Sequence, residues 1–125
     1  IDAVVLLLET TSMVVTVGEA PDDPVPPLLV VWPSPALGVT DTLDDPIADA
    51  LVSFQVTSIG ESAEQALWAS DKAYAAINRM VPTVTGRVCR PIWGDDPPQP
   101  VRRDDAVNPP MFVAISLWSL RSSAT

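Results

Sequence analysis

Histidine is missing from this chain altogether, and cysteine occurs once, at Cys89. Without histidine the usual general base, metal ligand and nucleophile activator are lost together, which weighs against an enzyme. Cys89 therefore has no imidazole to activate it and reads as a small core residue. A single cysteine permits no internal disulfide, in keeping with a reducing compartment. Glycine is scarce, at 5 in 125 residues, and the sequence holds no P-loop, no Gly-rich nucleotide turn and no G-x-S-x-G elbow. Apolar runs are short as well: residues 3–8 have no basic flank and fall far below the roughly 20 residues that span a bilayer. Neither a signal peptide nor a membrane helix is expected, and the chain reads as soluble and intracellular.

Basic residues are absent from the whole first part. Residues 1–71 hold twelve of the 16 acidic residues and no Lys or Arg, whereas residues 72–125 hold all 7 basic residues and four acidic ones, so the two parts carry −12 and +3 within a net −9. Such a chain should repel nucleic acid overall, and its basic residues form no stripe with interleaved aromatics. The acidic residues are either solvated loop charge or one half of a complementary pair. In the second case the acidic part of one copy faces the basic part of the next, a head-to-tail contact that closes into a ring when the rotation permits.

What the chain does have is enough apolar content, 47% of 125 residues, to bury a single core, and one domain over residues 1–125 is expected. The clearest stretch is 49–81. From Leu51 to Ile59 the residues alternate, with Val52, Phe54 and Val56 on one face and Ser53, Gln55 and Thr57 on the other, the period of a half-buried strand that Gly60 is expected to break. Ser62 and Gln65 then form an S-x-x-Q capping box, and Glu61 and Glu64 place negative charge at the positive end of the helix dipole. The helix is predicted to run to Pro82 with Ala66, Leu67, Ser70, Ala73, Tyr74, Ile77 and Val81 inward. Its other face carries Glu64, Asp71, Lys72, Asn78 and Arg79, with Trp68 among them. A tryptophan there either laps over a neighbouring loop or anchors a contact between subunits, where Trp is enriched.

Before this unit, residues 1–11 read as a short helix ended by Ser12, 13–17 as a short strand closed by Gly18, and 28–32 as a strand stopped by Pro33 and Pro35. The proline-rich 19–27 forbids regular structure. Residues 36–46, polar and acidic, read as a projecting arm. After the unit, 87–93 reads as a strand bulged or placed at an edge by Pro91, 94–110 as a long irregular loop with Arg102, Arg103, Asp104 and Asp105 at its core, and 111–120 as a strand apolar on both faces, hence central or covered by a partner. Residues 121–125 are expected to fray. The order α-β-β-β-α-β-β predicts an α+β fold of two layers, a mostly antiparallel sheet with two helices packed on one face.

Candidate chemistry is thin. The aspartate pairs at 22–23, 44–45, 95–96 and 104–105 lack the alternating pattern of a calcium loop and sit beside turn residues, so no metal and no cofactor is expected. Two classes remain: a structural protein completed by its own copies, or a small-molecule binding module or degraded enzyme domain with no visible pocket chemistry.

One resemblance bears on the choice. The run FQVTSIGESAEQALWASDKAYAAI, a following V-x-G-R strand, and QPVRRDDAVNPPMFVAISLWSLRS resemble, in order and spacing across residues 13–122, the tail terminator (tail-completion) proteins of siphophages that infect actinobacteria. The shared pattern is an F-Q-V-T-S-x-G strand, an E-Q-A-x-W helix with a D-K pair, an R-D-D loop and a last strand introduced by P-P-x-F. The resemblance implies a two-layer subunit in a homo-oligomeric ring, a hexamer, that caps the tail tube, ends its polymerisation and joins the tail to the head-completion or neck proteins. It implies a virion location at the head–tail junction, assembly in the host cytoplasm, the major tail tube protein and the neck protein as partners, and DNA passing through the lumen without specific recognition. On this reading residues 36–46, with Asp41, Asp44 and Asp45, and residues 94–108, with Arg102, Arg103, Asp104 and Asp105 matching the R-D-D loop, are inter-subunit or axial contacts. Trp68, Lys72 and Arg79 join them as interface candidates. The alternative within the same setting is a head-completion or neck adaptor protein of the head–tail connector.

Overall fold

A computed structural model describes residues 2–19, 25–34, 37–38, 49–83, 87–94, 100–104 and 111–124. In chain order the elements are α1 (Asp2–Glu9), β1 (Val14–Val17), β2 (Leu28–Pro33), β3 (Leu37–Gly38), β4 (Asp49–Gly60), α2 (Ala63–Ile77), β5 (Arg87–Cys89), β6 (Trp93–Gly94), β7 (Arg102–Asp104) and β8 (Met111–Ala124). The described strands form one sheet whose main path is β1-β2-β4-β8-β5, with β3 on β4 and with β6 and β7 on β8. β1 runs parallel to β2, and every other described pair is antiparallel. The α+β class and the mostly antiparallel sheet are as the sequence predicts.

The centre is the long β4–β8 ladder, in register from Asp49 opposite Ser123 to Gly60 opposite Phe112. Its two-residue period sends Phe54 and Val56 of β4, Leu29 and Val31 of β2, and Trp118 and Leu120 of β8 into one buried cluster with Val4 and Leu8 of α1 and Ala69, Ala73 and Ile77 of α2. Both helices therefore lie on the same face. Burying side chains as large as Phe54 and Leu29 contributes about 1.5–3 kcal/mol each. On the opposite face Leu28, Val30 and Ile59 form a smaller cluster with Met111 and Val113.

α2 begins as its capping box requires. The Gln65 N–H donates to Ser62 Oγ at 3.1 Å, and Gln65 Oε1 accepts from the N–H of Glu61 at 2.6 Å, one residue before the cap. Gly60 ends the strand as expected, being the last residue of β4. Its lack of a side chain also serves packing. A Cβ there would stand 2.8 Å from the Gln65 carbonyl carbon and closer still to the Ala66 nitrogen, so the helix could not start where it does.

Four sequence expectations are corrected. The buried stripe of α2 is Ala66, Ala69, Ala73 and Ile77, while Leu67 is 50% and Tyr74 54% exposed. The alanines sit closest to the sheet because they leave room for the backbone to approach it, and this turns the larger residues to the shoulders of the helix. The helix also stops short of Pro82: Asn78 caps it, and Arg79 takes a left-handed φ of 59°, which turns the chain so that its N–H meets the Ile92 carbonyl at 2.9 Å. The RRDD segment is not wholly irregular, since Arg102, Arg103 and Asp104 pair with Val113, Phe112 and Met111. Finally, residues 121–124 do not fray, because β4 and β5 hold them in the ladder from both sides.

Candidate interface surface

No group of three or more His, Cys, Asp or Glu able to hold a metal lies among the described residues. Nor is any described helix long and apolar enough to cross a membrane. The features that stand out are aromatic rings and arginines on the surface.

On the outer face of α2, Trp68 is 46% exposed and Lys72, one turn later, holds Nζ 5.8 Å from the centre of its ring. The i, i+4 spacing places the two side by side, and an exposed cation–π pair of this kind contributes about 0.5–1 kcal/mol. The pair leaves much of the indole uncovered.

At the C-terminal end of α2, Arg79 lies over the Trp93 ring with its guanidinium carbon 5.1 Å from the ring centre. The left-handed turn at Arg79 makes this possible. Backbone bonds from Arg79 to Ile92 and from Ile92 to Met80, both 2.9 Å, clamp the turn to the segment before β6. Between α2, β6 and β8 runs a groove of about 410 Å³ whose walls include Leu67, Tyr74, Arg79, Trp93 and Trp118. The Tyr74 and Trp118 rings meet at 5.6 Å, tilted by 53°. Trp118 Nε1 donates to Ser116 Oγ at 2.8 Å, so its polar tip is satisfied inside the protein.

The outer edge of β8 is covered in turn by β7, β6 and β5. Five of the arginines lie there: Arg102 and Arg103 on β7, Arg87 on β5, Arg90 just after it and Arg121 on β8. Across the sheet, β1, β2, β3, β4 and the segments joining them contain no Lys or Arg. The arginines that the sequence confines to its second part are thus gathered along the β8 edge of the sheet.

The residues singled out from the sequence do not converge on one spot. Trp68 and Lys72 are together, Arg79 is with Trp93 at the helix end, and Arg102 and Arg103 are exposed at the sheet edge. Asp104 lies in β7 opposite Met111, whereas Asp41, Asp44, Asp45 and Asp105 lie outside the described residues. Sequence reading missed Trp93, 55% exposed, and mistook Tyr74 for core. The signal for Trp93 was Pro91, which marks an interrupted edge where a large ring stays partly exposed.

No family model and no curated protein matches this sequence. Among solved structures, a chain from the virion of a native gene transfer agent (GTA) particle shares the fold, with a TM-score of 0.63 at 14% identity, over 98% of this chain and 93% of that one.

Proposed function

We propose that this chain is a structural component of a virion, and more specifically a tail terminator: a non-enzymatic subunit whose copies form a hexameric ring that caps the tail tube, ends its growth and joins the tail to the neck. The observation that carries the reading is the likeness, along nearly the whole of both chains, to a chain of a gene transfer agent virion. Three features of this molecule support it. Residues 1–71 carry no Lys or Arg while five arginines lie along the β8 edge, an asymmetry that suits head-to-tail contacts. Trp68 with Lys72, and Trp93 with Arg79, place aromatic and cationic groups on the outside, the types that dominate protein interfaces. The pattern of motifs from the F-Q-V-T-S strand to the P-P-x-F strand is the third. A neck adaptor is the competing assignment.

Deleting the coding region from a phage genome that carries it separates the two. Electron microscopy of the lysate should show tails longer than normal and lacking heads. Tails of normal length, merely unattached, would replace the terminator assignment by the adaptor. Normal infectious particles would overturn both.

A further inference from the structure

A second groove, of about 380 Å³, lies at the far end of the β8 edge and is lined by Leu51, Arg90, Pro91, Trp93, Ser119 and Arg121. Its charged residues are both arginines. They are held next to each other by the ladder itself, since the Arg90 N–H donates to the Arg121 carbonyl at 2.8 Å. Both are exposed. Two like charges set side by side across strands repel each other, so the pair favours any carboxylate that reaches it. Around it are Trp93, 55% exposed, and the apolar edges of Leu51 and Pro91. The surface is suited to an extended segment bearing both carboxylates and aliphatic side chains.

Residues of both kinds occur together in the chain's own sequence. Residues 39–48, VTDTLDDPIA, carry Asp41, Asp44 and Asp45 with Leu43 and Ile47 and no basic residue. We propose that the Arg90–Arg121 groove of one copy is the docking site for residues 39–48 of a second copy of this chain. The inference rests on the ring reading above and supplies its seam: aspartates meet the arginine pair, and Leu43 or Ile47 covers the exposed ring of Trp93. The match is heterologous, groove to segment, so each copy gives one and receives one. That is the arrangement a closed ring needs.

Reciprocal charge reversal tests it on the purified full-length chain. R90E/R121E and D44R/D45R should each keep the wild-type circular dichroism and melting temperature while sedimentation velocity shows association weakened about tenfold or more. Mixed one to one, the two variants should assemble again, because each offers what the other has lost. R90Q/R121Q is the milder version if the reversed groove fails to fold. Assembly of R90E/R121E at wild-type strength would overturn the proposal. So would rescue by combining all four substitutions in one chain without rescue by mixing, which would mean that the segment folds back on its own groove. A loss seen only in binding to tail tube protein, with self-association intact, would overturn it in favour of that partner. Should the wild-type chain prove monomeric, the ring reading fails. The groove is then judged by calorimetric titration with a synthetic peptide of residues 39–48: saturable binding lost in R90E/R121E supports the site, and no binding rejects it.

Discussion

Gly60 and Ser62 stand two residues apart at the turn from β4 into α2, yet they hold it by different means, and their substitutions should differ in cost. At Gly60 the obstacle is backbone: a Cβ would meet the Gln65 carbonyl carbon at 2.8 Å, with no flexible side chain to give way. Gly60→Ala must push the first turn of the helix off the strand, which should cost about 1–3 kcal/mol or more. Ser62 contributes one hydrogen bond to the Gln65 N–H, and that N–H is exposed enough to turn to water, so Ser62→Ala should cost only about 1 kcal/mol. Urea denaturation of the two variants measures both. A Gly60→Ala variant no less stable than Ser62→Ala would mean that the helix can be displaced at little cost.

At the scale of elements, α2 presents alanine to the sheet and keeps its larger residues for the shoulders. Ala66 and Ala69 are fully buried and Ala73 nearly so, while Leu67 is half exposed. Stability should follow this arrangement rather than hydrophobicity. Ala73→Leu should destabilise the fold by about 1–3 kcal/mol through overpacking, whereas Leu67→Ala, on the groove wall, should cost about 0.5 kcal/mol or less. Thermal and urea denaturation decide the order. The same arrangement explains what sequence reading recovered and what it did not. The strand period of β4, the capping box and the short helix before Ser12 were legible because each is encoded by neighbours along the chain. The orientation of α2 was not, since an alanine stripe and a leucine–tyrosine stripe have equal helical period and only the nearness of the sheet at Gly60 chooses between them. β7 was hidden for a similar reason: its pairing depends on the length of β8, a non-local partner. Of the candidate interface, Trp68 with Lys72 could be read from i, i+4 spacing, but Arg79 on Trp93 depends on a left-handed turn and a tertiary clamp that no local pattern announces.

For the molecule as a whole, the question is whether its arginine edge serves the fold or the assembly. Arg102 and Arg103 sit at the opposite end of β8 from the Arg90–Arg121 groove, on a strand tied to β8 by backbone pairing with Val113 and Phe112. Backbone pairing does not depend on which side chain each residue carries, and both side chains are exposed. Replacing Arg102 with Glu should therefore change folding stability by no more than about 0.5 kcal/mol. Assembly should respond differently. On the proposed ring reading the neighbouring copy approaches with a surface drawn from residues 1–71, which contain no basic residue to meet a reversed edge, so R102E sets like charge against like. Repulsion of this kind slows association and, being screened, should ease as salt is raised from low to physiological strength and beyond. Sedimentation velocity across a salt series, with a melting curve of the same samples, separates the two roles. The expected outcome is an unchanged melting temperature with weakened, salt-rescued assembly. Rings of normal stability from the reversed chain would remove this end of the edge from the seam, and a lowered melting temperature with normal assembly would assign Arg102 to the fold.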